Sequence, residues 1–363
     1  MWEFTKLQPG DILLKHEGND AVSRTIRRAQ HFDNPGGKYN FITHVGIATG
    51  NGTTLIELNR EGISSASVGL NKKSNNIETG PWKFRQLAET PTAWNDLSSD
   101  QERAHSAQWT VFRYKESETA SKLIEVYSPE LIEGLIKRNV VFSEHNNESV
   151  MNFKNYCEIC YKKLESVHSD RLDYRDEYRS LAAMDSEATI KCLAALRALA
   201  IRELASEIAT SIADGNIEIR TTHDLVNFQP SGSYDFFHAA LSVIGRRWKQ
   251  LDNVSDRQIR RLEELLNQQE RSAPTTFFCS NFVVYVYALA SFIASKTGDR
   301  ENIDFAIDKN LVYTTPSQLC DYLFSCNDWV LMNPSTLDKK FIIADGQKND
   351  NSKAHKSRYK KCF

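Results

Sequence analysis

The sequence predicts an α+β fold, an antiparallel sheet backed by a buried helix. Three observations point to it. Residues 4–115 read as short β-type runs separated by turn signals, with the runs Phe41–Thr49 and Thr53–Leu58 flanking Gly50-Asn51-Gly52 as a hairpin. Residues 116–231 change to helical periodicity. The segment that starts at Cys279 is apolar on nearly every side, which only a buried helix tolerates.

Taken in order, Pro9-Gly10-Asp11 is a turn and Ile12-Leu13-Leu14 a short strand behind it. Residues 19–31 are expected to be helical, capped by Asn19 or Asp20, with Val22, Ile26 and Ala29 on one face. The hairpin follows, then a Ser/Asn/Gly-rich stretch at 64–80 read as a mobile loop, then the strand Trp109–Tyr114. Ser128-Pro129 reads as an N-cap with Pro at the first helical position. Over 186–213, Leu193, Leu196, Ala200, Leu204, Ile208 and Ile212 recur at steps of three and four, and Gly215 is a stop signal. Further helices are expected at 235–244 and at 255–271, the latter capped by Ser255. Thr315-Pro316-Ser317 opens a turn or helix, and Trp329–Met332 is a strand. The organisation is therefore a domain in two parts, 1–115 and 232–345, separated by a helical insertion at 116–231 and followed by a basic disordered tail at 346–363.

At 363 residues the chain is long enough for about two domains, or one with a large insertion, and needs no disulfide or structural metal to fold. Lys+Arg number 45 and Asp+Glu 47, a net charge of −2, which argues against a general grip on nucleic acid or an anionic membrane. The longest apolar run, Phe282–Ala294, is too short to span a bilayer, so no transmembrane segment is expected. The first residues lack the features of a Sec signal peptide, so synthesis in the cytoplasm, with or without export by a non-Sec route, is the expectation. The 7 cysteines are odd in number and irregularly spaced, which fits reduced thiols better than a disulfide framework.

Cys279 stands in the first turn of its helix, where free N–H groups and the positive end of the dipole favour thiolate over thiol. His44 lies in the first hairpin strand. A two-residue turn at Gly50-Asn51 sets it directly opposite Glu57; a turn at Asn51-Gly52 sets Glu57 opposite Gly46 and Asn59 opposite His44. Both registers put His44 and Glu57 on one face as direct or diagonal neighbours. A carboxylate there fixes the tautomer of the imidazole and stabilises its cation. Nothing in the spacing alone joins Cys279 to His44.

A resemblance joins them. Pro9-Gly10-Asp11-Ile12, Thr43-His44-Val45-Gly46-Ile47, Ile56-Glu57 and Phe278-Cys279-Ser280 resemble, in that order, the circularly permuted NlpC-type papain-like cysteine hydrolases. These include the YiiX/YebB-like group, and lecithin:retinol acyltransferase is a relative. Val111-Phe112-Arg113 resembles the strand after the His hairpin, and Thr315–Leu319 the helix start after the Cys helix. Where the family often carries Glu-Leu or Glu-Phe after the Cys and Ser, this chain has Asn281-Phe282. The resemblance covers roughly residues 4–115 and 232–332 and leaves the helical block aside. It implies a permuted papain-like domain with a central Cys helix. Cys279 would be the nucleophile, His44 the base and later the acid, Glu57 the group orienting His44 (Asn59 its substitute), and the Cys279 N–H an oxyanion donor.

The expected activity is hydrolysis of an amide, peptide or isopeptide bond, cell-wall stems included, with no cofactor and no metal. Transfer or hydrolysis of a lipid acyl group by the same triad stays open. So does a delivered effector or toxin whose insertion 116–231 binds a partner protein. Asp11 is read as capping its own turn. Cys157-Glu158-Ile159-Cys160 is read as two packing thiols on a helix rather than a zinc site. His16, His31 and His238 are uncommitted, and Tyr234–Phe237 either lines a cleft or joins the core.

Overall fold

A computed structural model describes residues 7–16, 21–33, 37, 39–40, 42–49, 54–59, 62–67, 109–115, 118–137, 147–166, 172–213, 218–220, 225–227, 233–234, 254, 257–260, 262, 276–277, 279–295, 303–311 and 314–332. The sheet is built from β1 (Ile12–His16), β2 (Ile42–Ala48), β3 (Thr54–Asn59), β4 (Gly62–Ser67) and β5 (Trp109–Tyr114). Between β1 and β2 runs helix α1 (Ala21–Asp33). After β5 come α2 (Glu118–Val126), α3 (Pro129–Lys137), α4 (Asn147–Ser166), α5 (Leu172–Ala182) and α6 (Ser186–Ala213). Short strands β6 (Glu218–Arg220) and β7 (Leu225–Asn227) form a hairpin, and β8 (Ser233–Tyr234) pairs in parallel with β9 (Thr276–Phe277). The chain then runs through α7 (Cys279–Ala294), α8 (Pro316–Ser325) and β10 (Trp329–Leu331).

The main sheet is six-stranded, ordered β10-β5-β1-β2-β3-β4, and every pairing in it is antiparallel. The mixed α+β class is thus as the sequence predicts, and the last of the described strands, β10, returns to edge the sheet that contains β1. Side-chain alternation assigns Ile12, Leu14, Val45, Ile47, Ile56 and Phe112 to one core with α7, α8 and the C-terminal half of α6. Helix α7 is buried on nearly all sides, which explains its unbroken apolar composition. No helix among the described residues is long and apolar enough to cross a membrane.

Several local readings hold residue for residue. The strand Trp109–Tyr114 and the helix 186–213 have the expected bounds. Asp185 caps α6 by accepting from the N–H of Ala188 at 2.7 Å. Thr315 caps α8 in a reciprocal capping box with Gln318, and Pro316 opens the helix. Others differ. Residues 62–67, partly assigned to the 64–80 loop, form β4 in ladder register with β3; 68–80 lie outside the described residues. Ser and Gly weaken the β signal there, but a neighbouring strand supplies the missing ladder. Helix α1 runs to Asp33, past the expected end at 31, and the cap candidates Asn19 and Asp20 lie outside the described residues. Ser128 does precede α3, with Pro129 as its first residue and the Ser128 carbonyl accepting from Ile132 N–H at 3.1 Å, and its hydroxyl donates to Glu177 of α5 at 2.9 Å. The helix expected at 235–244 and the tail lie outside the described residues; of 255–271, residues 257–260 and 262 are helical.

Among the described residues of 116–231, five helices precede the β6–β7 pair. These helices have their own core, where Leu123, Leu131, Leu135, Phe153 and Leu181 meet Leu193, Leu196 and Ala200 of α6. Further along the same helix, Ile201, Leu204, Ile208 and Ile212 enter the main core. Helix α6 is therefore shared between the two cores.

The α6 backbone also presses on Gly10. This residue has φ +80°, and a Cβ there would sit 2.6 Å from the Arg202 carbonyl oxygen. Both the left-handed backbone and the contact demand glycine. Gly10→Ala is expected to cost about 1–3 kcal/mol, read as a lower urea midpoint at unchanged slope.

Candidate active site

The β2–β3 ladder pairs Gly46 with Glu57 and Ile47 with Ile56. This is the register expected for a turn at Asn51-Gly52, although the turn residues themselves lie outside the described residues. Glu57 is consequently the diagonal neighbour of His44. The diagonal is closed by a bond of 2.7 Å between His44 Nε2 and Glu57 Oε2. Both side chains are mostly covered, at 19% and 15% exposure. A buried carboxylate that accepts from Nε2–H leaves Nδ1 as the ring nitrogen for other work.

The strand carrying His44 is irregular at that point. Lys15 of β1 pairs with His44, whereas His16 pairs with Ile42, so Thr43 is an extra residue in β2. A bulge increases local twist and re-aims the adjoining side chain. Thr43 Oγ1 is buried there without a hydrogen-bond partner.

Cys279 is the first residue of α7 and is 1% exposed. Its sulfur lies close enough to His44 to act on the charge of the ring. The site thus joins β2, β3 and the start of the buried helix, and brings together the three residues Cys279, His44 and Glu57. Burial pushes the His44 pKa down. The Glu57 carboxylate and then the Cys279 sulfur push it up, by charge and by hydrogen bonding, and the result lies well above the usual 6.5. The arrangement favours the protonated, cationic form of the His44 ring. In the first turn of α7, backbone N–H groups have no carbonyl four residues earlier within the helix, so the Cys279 N–H faces outward from it.

Asp11 does cap its turn, accepting from the N–H of Gln8 at 2.8 Å. Sequence reasoning missed its second partner. Arg113 of β5 donates Nε to Oδ1 at 2.7 Å and Nη2 to Oδ2 at 2.8 Å, and both side chains are buried. Next to this pair, the Tyr287 hydroxyl of α7 donates to the Gly10 carbonyl. The charged pair therefore locks the sheet beside the helix that carries Cys279.

The six described cysteines are free of disulfides. Cys157 and Cys160 lie on α4, and burial pushes the Cys157 thiol up to about 12. Among the described residues no group of three His, Cys, Asp or Glu is arranged to hold a metal ion. His16 ends β1 and His31 is in the last turn of α1; His238, Asp235–Phe237 and the side chain of Asn59 lie outside the described residues. Compared with known proteins, the chain matches no family model, no curated protein and no solved structure.

Proposed function

We propose that the chain is a thiol hydrolase that cleaves amide bonds of peptides through an acyl-enzyme on Cys279. One observation carries this reading: His44 bonds a carboxylate at 2.7 Å and lies beside a cysteine at a helix start. Nucleophile, base and orienting group are the components such chemistry requires. The motif order Pro9-Gly10-Asp11, His44, Glu57, Cys279 of permuted papain-like hydrolases supports the same reading.

In this mechanism the Cys279 thiolate attacks the carbonyl carbon and a C–S bond forms. The developing oxyanion is met by the Cys279 N–H. His44 gives its proton to the departing amine as the C–N bond breaks, leaving a thioester and neutral imidazole. Water then attacks, His44 takes its proton, the C–S bond breaks, and the acid leaves with the ion pair restored. Glu57 holds Nε2–H throughout, so that Nδ1 faces the sulfur.

The test is to incubate the protein with an activated peptidyl ester and, separately, an activated fatty-acyl ester, quench in acid and weigh the protein. A peptidyl thioester on Cys279, absent from Cys279→Ser, is the expected result. A fatty-acyl adduct alone would move the reading to lipid acyl transfer. No adduct from either ester would overturn the acyl-enzyme.

A further inference from the structure

Strand β2 carries His44 and helix α7 carries Cys279, and the closeness of the two side chains is not all that aligns them. A second, longer connection runs through the start of α8. On one side, the residue after the nucleophile reaches it: Ser280 Oγ donates to the Thr314 carbonyl at 2.7 Å, fully buried. On the other side, Ser317 in the first turn of α8 donates its N–H to Gln30 Oε1 at 2.8 Å. Gln30, on α1, turns its amide nitrogen to the chain leading into β2, donating to the Ile42 carbonyl at 2.8 Å and to the Asn40 carbonyl at 3.1 Å. Ser317 Oγ adds a bond to Asn40 Oδ1 at 3.0 Å.

Tyr39 stacks on Phe324 of α8 with centroids 5.0 Å apart, so the same junction has an apolar side. Ile42 is two residues before His44, and the extra residue Thr43 lies between them. A bulge is a place where a strand can settle in more than one way, so its flank needs fixing from outside the ladder. Gln30 is 3% exposed and both donors and the acceptor of its amide are used. A buried amide so fully satisfied specifies geometry more than it adds stability.

We infer that Gln30 is a positioning residue for the candidate active site: through Ile42 and Ser317 it sets the placement of His44 against the start of the Cys279 helix. This inference rests on the thiol-hydrolase reading. Gln30 touches neither His44 nor Cys279; it acts on the backbone that carries them. Loss of its amide would leave the triad residues present but the ring and the sulfur out of line.

The test is the pH dependence of Cys279 alkylation by iodoacetamide in the full chain, followed by peptide mapping. In the wild type, pairing with His44 should sustain labelling of Cys279 on the acid side of neutrality. Gln30→Met keeps the side-chain size and removes every polar contact. Its labelling is expected to fall about tenfold near pH 6 and to stay within about twofold near pH 9, where thiolate forms without a partner. Gln30→Glu keeps the acceptor for Ser317 but, ionised, has no donor for Ile42. It is expected to show the same loss of the acid limb, and it decides the matter should the Met variant not fold. An unchanged profile in a folded variant, or a loss equal at all pH values, overturns the positioning role while leaving the hydrolase reading intact. A wild type without an acid limb overturns the pairing of His44 with Cys279 itself.

Discussion

Replacing His44 by Gln is expected to lower hydrolysis by about four to six orders of magnitude, because one ring serves as base, acid and counter-ion to the thiolate. Glutamine can still bond to Glu57, so the fold is expected to persist. Glu57→Gln is the more informative partner. It keeps the size and one acceptor but removes the charge that, after the opposing effect of burial, does most to hold the His44 pKa up. The expected loss is about 10²–10⁴-fold, with the His44 titration moved downward. A His whose folded pKa is raised contributes stability that is complete below its ordinary value of 6.5 and is lost as the pH rises through the higher folded value. In the wild type, therefore, stability should decline on the alkaline side of neutrality, and in Glu57→Gln this decline should shrink and end at lower pH. Urea midpoints across the pH range, alongside the NMR titration of the His44 ring, read both effects. A titration of His44 that is identical in wild type and Glu57→Gln would remove Glu57 from its orienting role.

The three residues of the site were visible in the sequence for different physical reasons. His44 and Glu57 share a face in either hairpin register because strands alternate with a period of two, so uncertainty about the turn did not matter. The direct pairing of Gly46 with Glu57 fixes which register holds, and makes His44 the diagonal neighbour of Glu57. Cys279 was placed at a helix start because an all-apolar run has nowhere to begin except after its capping residues, and α7 does start there.

What the sequence concealed is long-range. Gln30 and Ser317 meet across 287 positions, and Asp11 and Arg113 across 102. No periodicity carries such information, since it depends on which elements become neighbours. The sharing of α6 between two cores was hidden for a related reason. Its steps of three and four continue smoothly from Leu193 to Ile212, although the residues they bury change from one partner set to another. Strand β4 shows the converse: a Ser-rich segment without β character of its own is a strand because β3 lies beside it.

Arg113→Met is expected to be the most destabilising single change in the sheet domain. It removes both N–H donors to Asp11 and leaves a carboxylate buried with the Gln8 N–H and without its close cation. Truncating one member of such a pair costs about 3–5 kcal/mol, most of it the stranded charge rather than the lost attraction. Burial already raises the Asp11 pKa above 3.8, against the opposing pull of Arg113 and the Gln8 N–H; without Arg113 it must rise further. A carboxyl whose folded pKa is raised contributes stability that is full below its unfolded value and is lost as the pH climbs through the folded one. The deficit of the variant should therefore be smaller near pH 4 than near pH 7. Adding Asp11→Asn to Arg113→Met keeps an oxygen for the Gln8 N–H and abolishes the charge, so the double variant should regain much of the loss at neutral pH. Urea unfolding of both single variants and the double at the two pH values separates this account from simple loss of packing, which would leave the double variant no more stable than Arg113→Met and the deficit independent of pH. Because the same pair lies beside Tyr287 of α7, alkylation of Cys279 measured on the folded variants would also show whether the lock on the sheet reaches the nucleophile.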